Sequence, residues 1–319
     1  MDAAEVPFIA AADVRRLTPM AVLINALRIA FLEGVDVPPR LAYDLGDGAS
    51  LLLMPAWKLE GASPHVGVKV ATVFPMARPA VSGLYLLLNG RTGSPKAILD
   101  GAMLTARRTA AASALASQML SRANAQTLLL AGTGTLCLHL VEAHSTVRPL
   151  TQILIWGRDS ARAEEKAVEG RAAGYPCASI ASIDAAVSQA DIVSTATLST
   201  IPLIKGNLLR PGTHLDLVGA FRPEMAEADP ESFRRALVFV DTMEGALDEA
   251  GDLLQAIATG AMSAAEIEGD LARLCSGTNP GRNGDDHAIT LFKSVGTSLE
   301  DFTGANVVFE AWAREKVGR

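Results

Sequence analysis

The stretch that most constrains this chain is Gln126-Thr127-Leu128-Leu129-Leu130-Ala131-Gly132-Thr133-Gly134-Thr135-Leu136-Cys137. A short apolar run meets Gly-x-Gly and then enters Leu138-His139-Leu140-Val141-Glu142-Ala143, which has helical character. That order is the strand–turn–helix start of a dinucleotide-binding unit. The first glycine permits the tight turn, the second lets backbone approach a pyrophosphate, and the helix N-terminus favours its negative charge. The third small position falls on Cys137. Glycine turns also join strands to helices without binding anything; the strand before and the helix after decide here for a nucleotide held by Gly132, Thr133, Gly134, Thr135 and Leu136.

Upstream the pattern differs. Residues 6–10 read as a strand and residues 11–14 open a helix. Thr18-Pro19 starts a second helix, with Thr18 as N-cap and Pro19 in its first turn. Met20, Leu23, Ile24, Leu27 and Phe31 share one face of it, and Gly34 ends it. Strand-like runs follow at 40–43, 50–54, 65–74 and 83–88, with a hairpin signal at Asn89-Gly90 and Thr92-Gly93. Residues 104–120 are Ala-rich and unbroken by Gly or Pro, which predicts a helix.

Downstream, strands at 153–156, 177–180, 191–195, 215–218, 237–240 and 289–293 alternate with helices at 160–173, 183–189 and 244–258. A terminal helix covers 298–315. Such alternation predicts a parallel sheet with helices on both faces. The fold class is therefore α/β: a Rossmann dinucleotide-binding domain over 122–296 and a discontinuous α+β domain over 1–121 and 297–319. There is no internal repeat and no low-complexity segment.

Composition narrows the function classes. The 319 residues are 49% hydrophobic and 20% charged, as expected of a globular protein with a sizeable core. A net charge of −7 without a Lys/Arg run argues against nucleic acid and anionic membranes as partners. No apolar run reaches transmembrane length, and Met1-Asp2-Ala3-Ala4-Glu5 lacks the features of a signal peptide, so a cytoplasmic location is expected. Cys137, Cys177 and Cys275 are widely spaced and read as free thiols. His65, His139, His144 and His214 form no ligand-spaced set, so no metal is expected. Asp285-Asp286-His287 reads either as an acid/base pair or as a solvated loop.

The nucleotide is read at the end of the second strand of the Rossmann domain. An NAD-type unit places an acid there for the ribose 2′-hydroxyl. Here the position is Gly157, followed by Arg158 and, one turn on, Arg162. Guanidiniums suit a 2′-phosphate, which favours NADP(H) with NAD(H) as the alternative. Asp159 is either a displaced NAD-type acid or a helix N-cap, and the two arginines are otherwise a solvated helix face.

Three cations in the first domain lie on apolar elements. Lys69 is flanked by Val66, Val68, Val70 and Ala71; Arg40 follows Pro38-Pro39; Arg108 sits in the Ala-rich helix. Burying an unpaired charge costs several kcal/mol, on the order of the solvation it loses, so each needs a partner or a pocket. Converging, they would bind a small carboxylate; singly, each is a snorkelling or ion-paired side chain, the reading preferred for Arg91 and Arg107.

Gly67-Val-Lys-Val70 with Thr72-Val-Phe-Pro75, Leu99-Asp-Gly101, Leu104-Thr105 and Arg108-Thr-Ala-Ala-Ala-Ser113 come first. Gly132-x-Gly134, Trp156-Gly-Arg158, Asp216-Leu-Val-Gly-Ala-Phe-Arg-Pro-Glu-Met225, Glu249-Ala-Gly-Asp252 and Thr290-Leu-Phe-Lys-Ser-Val-Gly296 follow. In this order, over nearly the whole chain, they resemble the ornithine cyclodeaminase/mu-crystallin family. The resemblance implies a homodimer whose first domain binds substrate and dimerises through its sheet. It implies that Arg40, Lys69 and Arg108 hold the substrate carboxylate, with Lys69 also catalytic. It places Thr109, Thr195, Ala196, Thr197, Val218, Gly219, Ala220, Lys293, Val295 and Gly296 along the cofactor.

Two positions depart from the family pattern. Cyclodeaminases of the family carry an aspartate where this chain has Phe221, and many members have glutamine at Leu136. Loss of the carboxylate shifts the expected activity to an NAD(P)H-dependent reductase of small cyclic or linear α-imino acids, of ketimine or pyrroline-2-carboxylate type, with amino-acid dehydrogenation as its reverse. The alternatives are ornithine cyclodeaminase itself and a non-catalytic NADPH-dependent ligand-binding protein of mu-crystallin type.

Overall fold

The computed structural model describes residues 6–61, 63–74, 76–77 and 81–317. Pro75 of the motif above and the Met1–Glu5 stretch lie outside them. The chain divides into two compact units, Met1–Thr109 with Thr297–Arg319, and Ala110–Gly296.

The first unit is built on a six-stranded sheet of β1 (Phe8–Ile9), β2 (Leu41–Gly46), β3 (Ala49–Lys58), β4 (His65–Val73), β5 (Val81–Asn89) and β6 (Pro95–Asp100), in the order β1-β6-β5-β4-β3-β2. All pairs are antiparallel except β1 with β6. Strand β6 has no clear counterpart in the sequence pattern. Its run Pro95-Lys-Ala-Ile-Leu-Asp100 is short and polar at both ends, and pairing with β5 makes it a strand. One sheet face packs on the helix Ser298–Val317; Tyr85, Leu87, Ala97, Leu99, Leu104, Ala305 and Val308 form that core. The opposite face is apolar yet open, with Leu41, Tyr43, Val70 and Leu84 each exposed.

The helix Met20–Glu33 buries Met20, Leu23, Ile24, Leu27 and Phe31, the stripe its spacing predicts, and ends at Gly34 with φ 82°. Thr18 does not cap it. The Thr18 hydroxyl turns back to donate to the Val14 carbonyl at 2.7 Å, and Pro19 occupies the cap position with no side-chain bond. Arg107 explains the choice: its guanidinium donates to both the Thr18 hydroxyl and the Thr18 carbonyl, which ties that threonine to the preceding turn.

The second unit holds an eight-stranded, fully parallel sheet. Its strands are β7 (Thr127–Ala131), β8 (Gln152–Trp156), β9 (Cys177–Ser179), β10 (Ile192–Thr195), β11 (His214–Leu217), β12 (Ala236–Val240), β13 (Ile267–Asp270) and β14 (Ile289–Lys293), in the order β13-β12-β14-β11-β10-β7-β8-β9. Parallel strands are buried on both faces and read as continuous apolar runs; Leu128 to Ala131 are fully buried accordingly. The chain leaves β7 in one direction through β8 and β9, then returns to its other side with β10. That reversal is the switch point at which such sheets bind ligands. Strand β14 enters the middle of the sheet, and β13, which the sequence pattern does not announce, forms one edge.

The single helix expected over 244–258 is two, Met243–Glu249 and Gly251–Ala258. Ala250 is extended between them, and the Gly251 N–H donates to the Ala220 carbonyl at 3.0 Å. A Cβ at Gly251 would lie 2.2 Å from the Met225 carbonyl oxygen and 2.3 Å from that of Arg222. No helix among the described residues is long and apolar enough to cross a membrane. Gly251→Ala is expected to lower the unfolding free energy by about 2 kcal/mol through backbone overpacking; a urea midpoint equal to that of the parent chain would show that the junction yields freely.

Candidate active site

In the first unit, a row across the sheet assembles the cations. Lys69 on β4 pairs with Met54 on β3 and Tyr85 on β5, and Tyr85 pairs with Leu99 on β6. Arg40 directly precedes β2, whose Leu41 pairs with Leu53 beside Met54. Period-2 alternation therefore turns Lys69 and Tyr85 to the helix-covered face. From the terminal helix, Asp301 accepts from Lys69 Nζ at 2.7 Å and from Arg108 Nε at 3.0 Å, while Glu300 accepts from Arg108 Nη1 at 2.6 Å. Lys69, Arg108, Glu300 and Asp301 are all buried.

The electrostatics follow from this packing. Burial pushes the Lys69 ammonium down to about 8; Arg108 and Arg40 push the same way, and Asp301 opposes them. Burial alone would raise the Asp301 carboxyl, but Arg108 and Lys69 outweigh it and hold it below its usual range. For Arg108 burial is likewise outweighed, by Asp301 and Glu300, so its charge is secured. Lys69 and Arg108 thus share Asp301, and Arg108 has Glu300 as a second carboxylate. Tyr85 adds a buried hydroxyl with no hydrogen-bond partner among the described residues. It lies so close over Gly67 that a Cβ there would sit 2.0 Å from its oxygen.

Asp301, Glu300 and Tyr85 escape a reading of the sequence. The two acids look like ordinary first-turn residues that complement a helix dipole. The available signal is their place in a helix otherwise buried through Leu299, Phe302, Ala305 and Val308. Arg107 is structural, bonded to Thr18, while the exposed Arg91 reaches only the Gly61 carbonyl. Thr109 follows Arg108 and is half-buried.

In the second unit, the glycine loop lies at the end of β7. Gly132 has φ 130°, and a Cβ on it would meet the Ala196 carbonyl oxygen at 2.5 Å. Gly134 faces open space, since a Cβ placed on it would have no neighbouring atom within 4 Å, and Thr135 beside it is exposed. The helix Cys137–Val147 begins at Leu136 without a side-chain cap or a first-turn acid. A helix start without a side-chain cap and the open approach over Gly134 suit a pyrophosphate, so the residues present fit a dinucleotide. At Gly157, which carries no acid, a Cβ would sit 2.7 Å from the side-chain methyl Cγ2 of Thr133 in the glycine loop. Asp159 caps the next helix, accepting from the N–H groups of Ala161 and Arg162. Arg158 is exposed, and Arg162 reaches only 3.9 Å from Asp159.

The loops after β10 and β11 are fastened by a buried carboxylate that no sequence motif announces. Glu227 accepts from Thr195 Oγ1 at 2.7 Å, Thr197 N at 2.6 Å, Thr197 Oγ1 at 2.7 Å and Gly219 N at 2.7 Å. Burial raises the Glu227 carboxyl, with Lys293 opposing and Asp252 adding to the rise. Asp252 in turn accepts from the N–H groups of Glu227 and Ala228 and lies 3.0 Å from Lys293 Nζ. Lys293 is fully buried and also donates to the Gly219 carbonyl at 2.7 Å. Its place is thus behind the Gly219 turn. Asp241 performs the same service for the last loop, accepting from Val295 N at 2.8 Å and Gly296 N at 2.6 Å. Val218 and Ala220 are buried beside Gly219, and Ala220 takes φ 43°, a strained conformation for a residue with a Cβ.

The remaining sequence candidates are structural. Asp285 accepts from the N–H groups of His287 and Ala288 in an exposed loop. His144 and His214 are buried against Asp216 and Thr290 respectively. No group of three or more His, Cys, Asp or Glu among the described residues is placed to hold a metal ion. The three cysteines are free.

This chain belongs to the ornithine cyclodeaminase/mu-crystallin family, which it matches over residues 6–316. It is 38% identical over 304 residues to a Δ1-pyrroline-2-carboxylate reductase of Colwellia psychrerythraea, covering 91% of this chain and 94% of that one. A solved Δ1-pyrroline-2-carboxylate reductase of Thermococcus litoralis, in complex with NADH and L-proline, superposes with a TM-score of 0.92 at 29% identity, over 98% of each chain. An archaeal alanine dehydrogenase dimer with bound NAD superposes at 0.89 with 25% identity, over 98% of this chain and 97% of that one.

Glu227→Ala would strand four donors in a buried site. We expect it to lower the urea-unfolding free energy by about 3 kcal/mol and to weaken dinucleotide binding in a fluorescence titration. An unchanged denaturation midpoint would mean that these loops do not depend on the carboxylate.

Proposed function

We propose that this NAD(P)-dependent oxidoreductase reduces the C=N bond of a small α-imino acid. Δ1-pyrroline-2-carboxylate and its piperideine homologue are the type of substrate, and amino-acid dehydrogenation is the same reaction reversed. The observation that carries this reading is the buried Lys69–Asp301–Arg108 cluster, which sets a readily exchanged ammonium beside a fixed guanidinium. The Colwellia and Thermococcus reductases support the choice of a cyclic imine.

Bound nicotinamide supplies the hydride. The chain supplies binding, orientation and a proton. Arg108 commits Nε and Nη1 to Asp301 and Glu300, which holds the guanidinium plane still and leaves Nη2 for the substrate carboxylate. Arg40 adds a second guanidinium to the clamp. Lys69, lowered to about 8, holds its proton at neutral pH yet releases it readily, which suits transfer to the imine nitrogen. Asp301 keeps that ammonium in place.

The units carry these roles in separate sequence segments. We assign substrate binding to the segments 1–121 and 297–319 and the dinucleotide to 122–296, along Thr133, Thr135, Leu136, Ala196, Thr197, Val218, Val295 and Gly296. NADP(H) is the preferred nucleotide: Gly157 offers no acid, Asp159 is spent as a helix cap, and the exposed Arg158 and Arg162 are there for a 2′-phosphate. The open apolar sheet face with Leu41, Tyr43, Val70 and Leu84 is proposed as a homodimer surface, in line with the dimeric alanine dehydrogenase. Ornithine deamination is disfavoured. At the position of the cyclodeaminase aspartate, Phe221 presents a ring 6.0 Å from the Arg222 guanidinium and supplies no base.

Purified protein given NADPH or NADH and Δ1-pyrroline-2-carboxylate is expected to consume the reduced nicotinamide and yield proline. No consumption with any small ketimine, or release of proline and ammonia from ornithine, would reject the assignment. Because Lys69 is protonated below about 8, kcat/KM for reduction should hold at neutral pH and fall about tenfold per pH unit above it. Lys69→Ala should remove that limb and most turnover while dinucleotide binding persists. Arg158→Ala should raise the KM for NADPH about tenfold, the loss of one charge-assisted bond, and leave that for NADH unchanged. Equal changes for both nucleotides would reject NADP(H) preference.

A further inference from the structure

A cavity of about 520 Å³ opens in the first unit where the approach to β4, the β5–β6 hairpin and the last turns of the helix Ser298–Val317 meet. Its size is that of a small-molecule site. His65, at the start of β4, forms part of its wall, about 13 Å along the strand from Lys69 by the rise per residue. Three cations line it, Arg91, Lys96 and Arg314, against one acid, Glu310, in a chain of net charge −7.

Those cations are weakly compensated. Lys96 has no ion-pair partner among the described residues. Arg91 reaches the Gly61 carbonyl at 3.3 Å, and Arg314 approaches Glu310 only to 3.8 Å. Asn89 directs its side-chain carbonyl to the N–H groups of Arg91 and Thr92, at 2.8 and 3.2 Å, which leaves its NH₂ group as a donor at the wall. His65 is only 6% exposed, and its Nδ1 is buried without a hydrogen-bond partner among the described residues. Its ring stands edge-on to Phe309 at 5.9 Å. Buried polar atoms in native proteins are nearly always satisfied, and like charges gathered around one cavity repel unless an anion lies among them.

We propose that this cavity binds a small organic molecule carrying a doubly charged oxyanion, a dicarboxylate or a phosphate group. Arg91, Lys96 and Arg314 would hold the charge, with Asn89 and His65 as further polar contacts and Phe309 beneath the organic body. The site uses none of the residues assigned to imine reduction.

The His65 imidazole reports occupancy. Burial holds it below the usual histidine range; Lys96 on β6 pushes the same way, while Asn306 and Glu310 on the terminal helix pull upward. Arg91 and Arg314 also line the cavity it borders. A dianion among them reverses the local sign and raises its titration midpoint by about one pH unit. The test follows the His65 ring-proton resonance, identified by its loss in His65→Gln, while inorganic phosphate or succinate is added at ionic strength held with sodium chloride. A saturable shift with either probe, abolished in the Arg91→Ala/Lys96→Ala double variant and weakened about tenfold in Arg314→Ala, supports the site. The probe that saturates first identifies the charged group. No saturable shift with either probe, an equal response to chloride alone, or a shift unchanged in these variants overturns it.

Discussion

A single buried carboxylate, Asp301, ties the sheet of the first unit and Arg108 to the terminal helix. It accepts from Lys69 and Arg108 at once; without it the buried Lys69 ammonium would lose its carboxylate, a costly loss in an apolar core, while Arg108 would keep Glu300. The arrangement is a compromise between opposing effects. Burial presses Lys69 toward neutrality, whereas Asp301 presses it toward charge, and the balance falls near 8. A lysine fully compensated by its partner would hold its proton too firmly to exchange it. One with no partner would be neutral and would attract no carboxylate.

The second unit uses the same physics for positioning. Glu227, Asp252 and Lys293 form a buried chain of opposite charges whose hydrogen bonds end on the loops after β10 and β11. Loops at the C-terminal ends of parallel strands have no ladder partners of their own. Tying several of their N–H groups to one carboxylate, as Asp241 also does for Val295 and Gly296, holds them in place.

Much of the architecture is legible in the sequence because it follows from local periodicity. The apolar run ending in Gly132 and the stripe from Met20 to Phe31 form the elements their patterns announce. What is not legible is decided by distant partners. Thr18 looks like a cap, but Arg107 draws it into the preceding turn. Residues 244–258 look like one helix, yet the Gly251 N–H is claimed by Ala220 across the chain. Strand β6 has little strand character of its own and exists through β5.

By itself the sequence determined the two kinds of layer, the glycine loop, the family and the identity of the cations, since each depends on residues close in the chain or on a motif of fixed spacing. Only the tertiary structure decided which acids meet those cations. Lys69 and Asp301 are 232 positions apart and Arg108 and Asp301 193, and no periodicity connects them. The lowered titration of Lys69 depends on burial and on neighbouring charge, and both exist only once β4 lies against the terminal helix.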